Sequence, residues 1–200
     1  MLNYGKIFDS EGLSYPQYRD HVDQLLAEGK TTGTDHSEGM LHYTKMNVQR
    51  MNRVDKTTVL NADLMAAIEA LKGKYYFLVI TEGWCGDAAQ LVPVIHKIAE
   101  ARPDHFEMRL VLRDQHLPLI DAHLTNGGRS IPVLLVLDEN KALTLPKWGP
   151  RPAVLQAQMA DWKNEGIVMP ELAEKIHSWY AKDKTQHTQT ELTALLKQLH

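Results

Sequence analysis

Two hundred residues with a hydrophobic fraction of 44% suffice for one domain with extensions, or one domain and a small companion. The formal net charge of -3, with no basic stripe and no long like-charge block, argues against electrostatic capture of nucleic acid or an acidic membrane. A single cysteine excludes an internal disulfide and a Cys-rich structural zinc site. No stretch approaches the roughly eighteen apolar residues of a membrane span. The opening Met1-Leu2-Asn3-Tyr4-Gly5-Lys6 lacks the apolar core of a signal peptide, so a cytoplasmic location is expected.

Residues 1–56 read as a helical N-terminal extension. Ser14 and Pro16 open a helix whose apolar face is Tyr18, Val22, Leu25 and Leu26, with Gly29 as its stop. Residues 30–39 are polar and turn-rich. A second helix is expected over 40–54, with Leu41, Met46, Met51 and Val54 inward and Arg50 and Arg53 exposed. Neither helix builds a core alone, so both should pack on the remainder of the chain.

Residues 57–164 read as the main domain. Thr57-Thr58-Val59-Leu60 is expected as a short strand, and Asn61 caps a helix ending near Leu71. Tyr75-Tyr76-Phe77-Leu78-Val79-Ile80 is nearly continuous apolar sequence, as in a central strand covered on both faces. A helix is expected over 89–101, which Pro93 should kink. Alternation over 106–113 predicts a strand. Asp114 should cap a helix bearing Leu117, Leu119, Ile120 and Leu124. Residues 131–137 form another buried strand, a hairpin turn leads into a partner strand over 142–148, and a helix runs from about 150 to 163. This order implies one mixed sheet with helices on both faces, an α/β fold. Helices near 170–182 and 188–199 form a C-terminal extension over 165–200. They either cap the domain or make a helical interface, a homodimer included.

The chemistry centres on Thr81-Glu82-Gly83-Trp84-Cys85-Gly86-Asp87-Ala88, where a strand gives way to a helix. A lone cysteine is usually a small buried hydrophobe. At a helix N-terminus, however, free N–H groups and the positive dipole end favour a thiolate and lower the pKa of reactive cysteines. Pro132, opening a strand after a Gly-Gly-Arg-Ser-Ile segment, is either an ordinary turn proline or a cis one.

Trp84-Cys85-Gly86-Asp87-Ala88 after an apolar strand, with Ser130-Ile131-Pro132-Val133 opening a later one, resembles the thioredoxin superfamily over about residues 60–164. The chain is also similar to a bacterial branch of small thioredoxin-family proteins with a helical N-terminal extension. The resemblance implies a thioredoxin-like fold. It makes Cys85 the attacking cysteine, Trp84 the aromatic residue before it and Pro132 the cis-proline facing the sulfur. Ile131 would pair its backbone with an extended substrate, and Gly149 falls near the loop glycine found after the last strand.

The departure lies three positions after Cys85, where dithiol members carry a second cysteine and this chain has Ala88. A mixed disulfide on Cys85 would need a thiol from another molecule to release it. The alternative is that Ala88 replaces a cysteine, in which case the chain would trap its substrates. Asp87 is read either as a first-turn cap or as a carboxylate that opposes thiolate formation; Glu82 is similarly open. Arg129 is read either as an exposed loop residue or as an anchor for the carboxylate of a peptide-like thiol, and Arg151 as solvent-facing. The ten histidines are scattered without ligand spacing, so no metal is expected, and no cofactor either. Beside a structural helical adaptor working through residues 1–56 and 165–200, which is the least constrained reading, two functions are consistent with these residues. One is monothiol thiol–disulfide exchange with a protein disulfide or low-molecular-weight thiol, using an external reductant. The other is a non-catalytic binding module for a protein partner.

Overall fold

The computed structural model describes residues 2–199. Four helices precede the first strand: α1 (Tyr4–Ser10), α2 (Tyr15–Ala27), α3 (Glu38–Thr57) and α4 (Ala62–Ala70). Then come β1 (Tyr75–Thr81), α5 (Gly86–Ala101), β2 (Phe106–Leu112), the short α6 (Leu117–Asp121) and β3 (Val133–Leu137). Helices α7 (Ala153–Asn164), α8 (Glu171–Asp183) and α9 (Gln186–Leu196) close the chain.

Local sequence accounts for most boundaries. Ser14 and Gln17 form a reciprocal capping box at α2, and the side chains of Asn3, Ser37 and Asn61 accept backbone N–H groups at α1, α3 and α4. The break between α8 and α9 is only Lys184 and Thr185, both left-handed.

The sheet is mixed, in the order β2-β1-β3, with β1 parallel to β2 and antiparallel to β3. Every residue of β3, and all of β1 except Tyr76, is buried. Helix α5 is buried nearly all round because α3 packs against it while β1, β2 and α9 also touch it. Leu13, between α1 and α2, exchanges both backbone hydrogen bonds with Leu110 and so covers the β2 edge.

Three expected elements differ. Residues 58–60 are not a strand: α3 runs on to Thr57 and its C-cap Thr58 turns the chain out, leaving Val59 exposed. Residues 142–148 do not form a regular strand. Leu143 and Trp148 bridge to Leu137 and Leu134, but Leu145, Pro146 and Lys147 bulge opposite Leu135. Pro146 has no N–H to give a ladder there. Asp114 caps no helix; its backbone N–H donates to Glu82, and α6 is short, leaving Leu117 and Leu124 exposed. Pro93 lies inside α5, which continues through it.

Candidate functional site

The turn after β1 is tied down by the N-terminal segment. Glu82 is fully buried, and its carboxylate accepts from the Thr32 hydroxyl and from the Asp114 backbone N–H at 2.9 Å. Burial pushes its pKa up. The Thr32 hydroxyl also accepts from Gly83 N–H at 3.0 Å, and Asn47 on α3 donates to the Gly83 carbonyl at 3.1 Å. Trp84 lies under the Arg113 guanidinium, 4.7 Å from the ring centre. Its Nε1 is so close to Gly33 that a Cβ there would approach it to 2.6 Å.

Cys85 is the N-cap of α5 and is 8% exposed. Its Sγ lies 3.5 Å from the Ala88 N–H, and the thiol donates to the Ile131 carbonyl at 3.4 Å. Burial, followed by the negative charge of Asp87, pushes the thiol pKa up to about 12. The backbone N–H groups of Ala88 and Asp87 and the Arg151 charge act in the opposite direction, as the helix N-terminus predicts, but they are outweighed. The resting group is therefore a neutral thiol and not the thiolate expected from its position. Behind it, the Ile131–Pro132 peptide is cis. Gly149, with φ +110°, packs so tightly that a Cβ would come within 2.3 Å of the Pro132 carbonyl oxygen.

Asp87 is buried and held by two residues the motif does not contain. Arg151 forms an ion pair with one carboxylate oxygen, and the Tyr180 hydroxyl donates to the other at 2.9 Å. Arg151 thus turns inward rather than to solvent: the buried carboxylate draws it there. Desolvation still raises the Asp87 pKa against both partners. His177, one turn before Tyr180 on α8, lies over Gly86, where a Cβ would meet its Cε1 at 2.6 Å and Arg50 Nη1 at 3.8 Å. Burial, then Arg50 and Arg53, lowers the His177 pKa to about 4.

These groups line a cleft of about 450 Å³. Trp84, Cys85, Gly86 and Asp87 form one wall, α3 adds Tyr43, Asn47 and Arg50, and α7 and α8 add Met159, Leu172 and His177. Of the residues singled out in the sequence, Trp84, Cys85 and Asp87 therefore meet in one place. Ile131 and Pro132 are buried behind the sulfur, with Gly149 against them. Arg129 is engaged elsewhere, bidentate to Asp121 at 2.6 and 2.8 Å, and does not line the cleft. Sequence reasoning missed Arg50, Arg151, His177 and Tyr180. Only Arg151, adjacent to Gly149-Pro150, carried a local hint.

No group of three or more His, Cys, Asp or Glu side chains gathers as a metal site among the described residues, and no helix among them is long and apolar enough to cross a membrane. A mixed sheet, a cysteine capping the helix after β1 and a cis-proline facing it define a thioredoxin-fold protein with one buried cysteine. The family model described as thioredoxin matches residues 33–163, and the chain belongs to that family. The match begins within the helical N-terminal extension. A protein of unknown function from Pseudomonas aeruginosa has the same fold, with TM-score 0.66, 17% identity and 98% of each chain covered. So does an HIV epitope-scaffold, with TM-score 0.65, 16% identity and both chains covered in full. At these identities the likeness is one of fold. Comparison with curated proteins gave no match.

Proposed function

We propose that this protein is a cytoplasmic monothiol thiol–disulfide oxidoreductase in which Cys85 is the nucleophile and an external thiol resolves the intermediate. The supporting observation is the placement of Sγ: at the α5 N-terminus, 3.4 Å from the carbonyl before cis-Pro132, on the wall of a cleft. In the first step Cys85 Sγ attacks one sulfur of a disulfide RS–SR. That S–S bond breaks, a Cys85–SR bond forms, and the leaving thiolate takes up the proton that Sγ gives up. A second thiol then attacks the SR sulfur and releases Cys85–SH. Ala88 supplies no internal thiol, so the second step is intermolecular. The N–H groups of Ala88 and Asp87 and the Arg151 charge stabilise the transient thiolate, while Asp87 limits how readily it forms. The nucleophile and the Pro132 turn lie within residues 57–164, and the flanking helices complete the cleft wall.

A second reading is favoured by the burial and high pKa of Cys85: a binding module in which the thiol is inert. Mass analysis of the native protein incubated with a small disulfide near neutral pH separates the two, with Cys85→Ser as control. A Cys85 adduct that added thiol removes catalytically is expected. Labelling that occurs only after unfolding would overturn the redox reading and leave the binding module.

A further inference from the structure

The cleft beside Cys85 has an unbalanced charge. Of its three cations, Arg151 is neutralised by Asp87. Arg50 and Lys163 have no carboxylate within 4.0 Å among the described residues. Arg50 is held in place rather than loose: its Nη1 donates to the Asn47 side chain at 2.7 Å, and Asn47 is itself fixed to the Gly83 carbonyl of the cysteine turn. The same Nη1 lies 3.8 Å from where a Cβ would sit on Gly86, the residue after the nucleophile. His177, on the facing wall, keeps Nδ1 buried without a hydrogen-bond partner among the described residues. Methionine and leucine side chains, among them Met40, Met159 and Leu172, make the remaining surface apolar. The cleft between Lys74 and Asn140 is of similar volume but carries Asp138 and Glu139 and no nucleophile.

The alternative substrate, an extended protein segment, would add along the backbone of Ile131. That residue is 4% exposed, and its carbonyl already accepts the Cys85 thiol. Helices α3 and α8 wall the sulfur on the other side.

We infer that the substrate is a small disulfide bearing a carboxylate, which Arg50 of the N-terminal extension grips while Cys85 attacks the sulfur. The inference rests on the monothiol reading and narrows it to one substrate class. A fixed guanidinium suits a carboxylate because its planar N–H fork matches the two oxygens. The exchange balances: the small molecule leaves half of itself as a thiol and half on Cys85, and an external thiol recovers the second half.

The test compares three small disulfides in the full chain: anionic dithiodiglycolate, neutral hydroxyethyl disulfide and cationic cystamine. The rate of Cys85 adduct formation with each is read by mass and divided by its rate with the urea-unfolded chain. We expect dithiodiglycolate to be favoured over cystamine by about tenfold or more, with the preference shrinking as salt rises. Arg50→Gln should lose most of that preference, and Arg50→Lys should keep part of it. Equal normalised rates in the wild-type protein, or a preference for cystamine, overturn the inference and leave the monothiol reading intact. A preference undiminished in Arg50→Gln overturns the role of Arg50. A native protein that forms no adduct with any of the three overturns the proposed function, and this inference with it.

Discussion

Two near neighbours in the chain, Cys85 and Asp87, pull against each other. Both are buried, and the Asp87 carboxylate raises the cost of charging Cys85; Arg151 relieves Asp87 directly and Cys85 only in part. The thiol therefore stays protonated across the neutral range. Alkylation of wild-type Cys85 should climb about tenfold per pH unit between roughly 7 and 10, without a plateau. Replacing Asp87 by Asn removes the opposing charge, so the profile should move to lower pH and the rate at pH 8 rise by about tenfold. Loss of the ion pair should also lower stability by about 3 kcal/mol, measured by urea denaturation. An unchanged pH profile in Asp87→Asn would show that burial alone sets the thiol pKa.

At the scale of elements, the site is a junction of loops held by helices. The Pro132 turn is braced by Gly149, whose positive φ and contact with the Pro132 carbonyl leave no room for a side chain. Gly149→Ala should destabilise the fold by at least about 2 kcal/mol and change the Cys85 labelling rate, because the carbonyl that accepts its thiol lies in the same turn. Equal labelling rates in mutant and parent would separate the two loops. Helix α8 brings His177 over Gly86 and Tyr180 to Asp87, so the C-terminal extension is part of the site wall.

At the scale of the molecule, that wall links stability to acid. The His177 pKa falls from 6.5 in the unfolded chain to about 4 in the fold. A depressed folded pKa means that stability is full above about 6.5 and is lost as the pH falls through to about 4. With the ring partly exposed, the loss from this residue should total about 1–2 kcal/mol. Thermal melts between pH 4 and 7 should show a shallower acid slope in His177→Gln than in the parent. Parallel slopes would mean that His177 is not coupled to folding.

The chain by itself determined β1, β2, β3 and most helices, because apolar periodicity and caps such as Ser14 and Asn61 act within a few residues, but it wrongly suggested a strand over 57–60. It also placed Cys85 at a strand-to-helix junction and Pro132 at the head of a buried strand, which is why the thioredoxin resemblance was legible. The irregular segment around Pro146 was not, since whether an edge pairs depends on its neighbour's register. The ionisation of Cys85 was decided only by the tertiary structure. A helix N-terminus taken alone favours a thiolate, but burial of the sulfur, followed by the Asp87 charge, outweighs it. Desolvation and charge act through space, and no local pattern records which side chains will cover the sulfur.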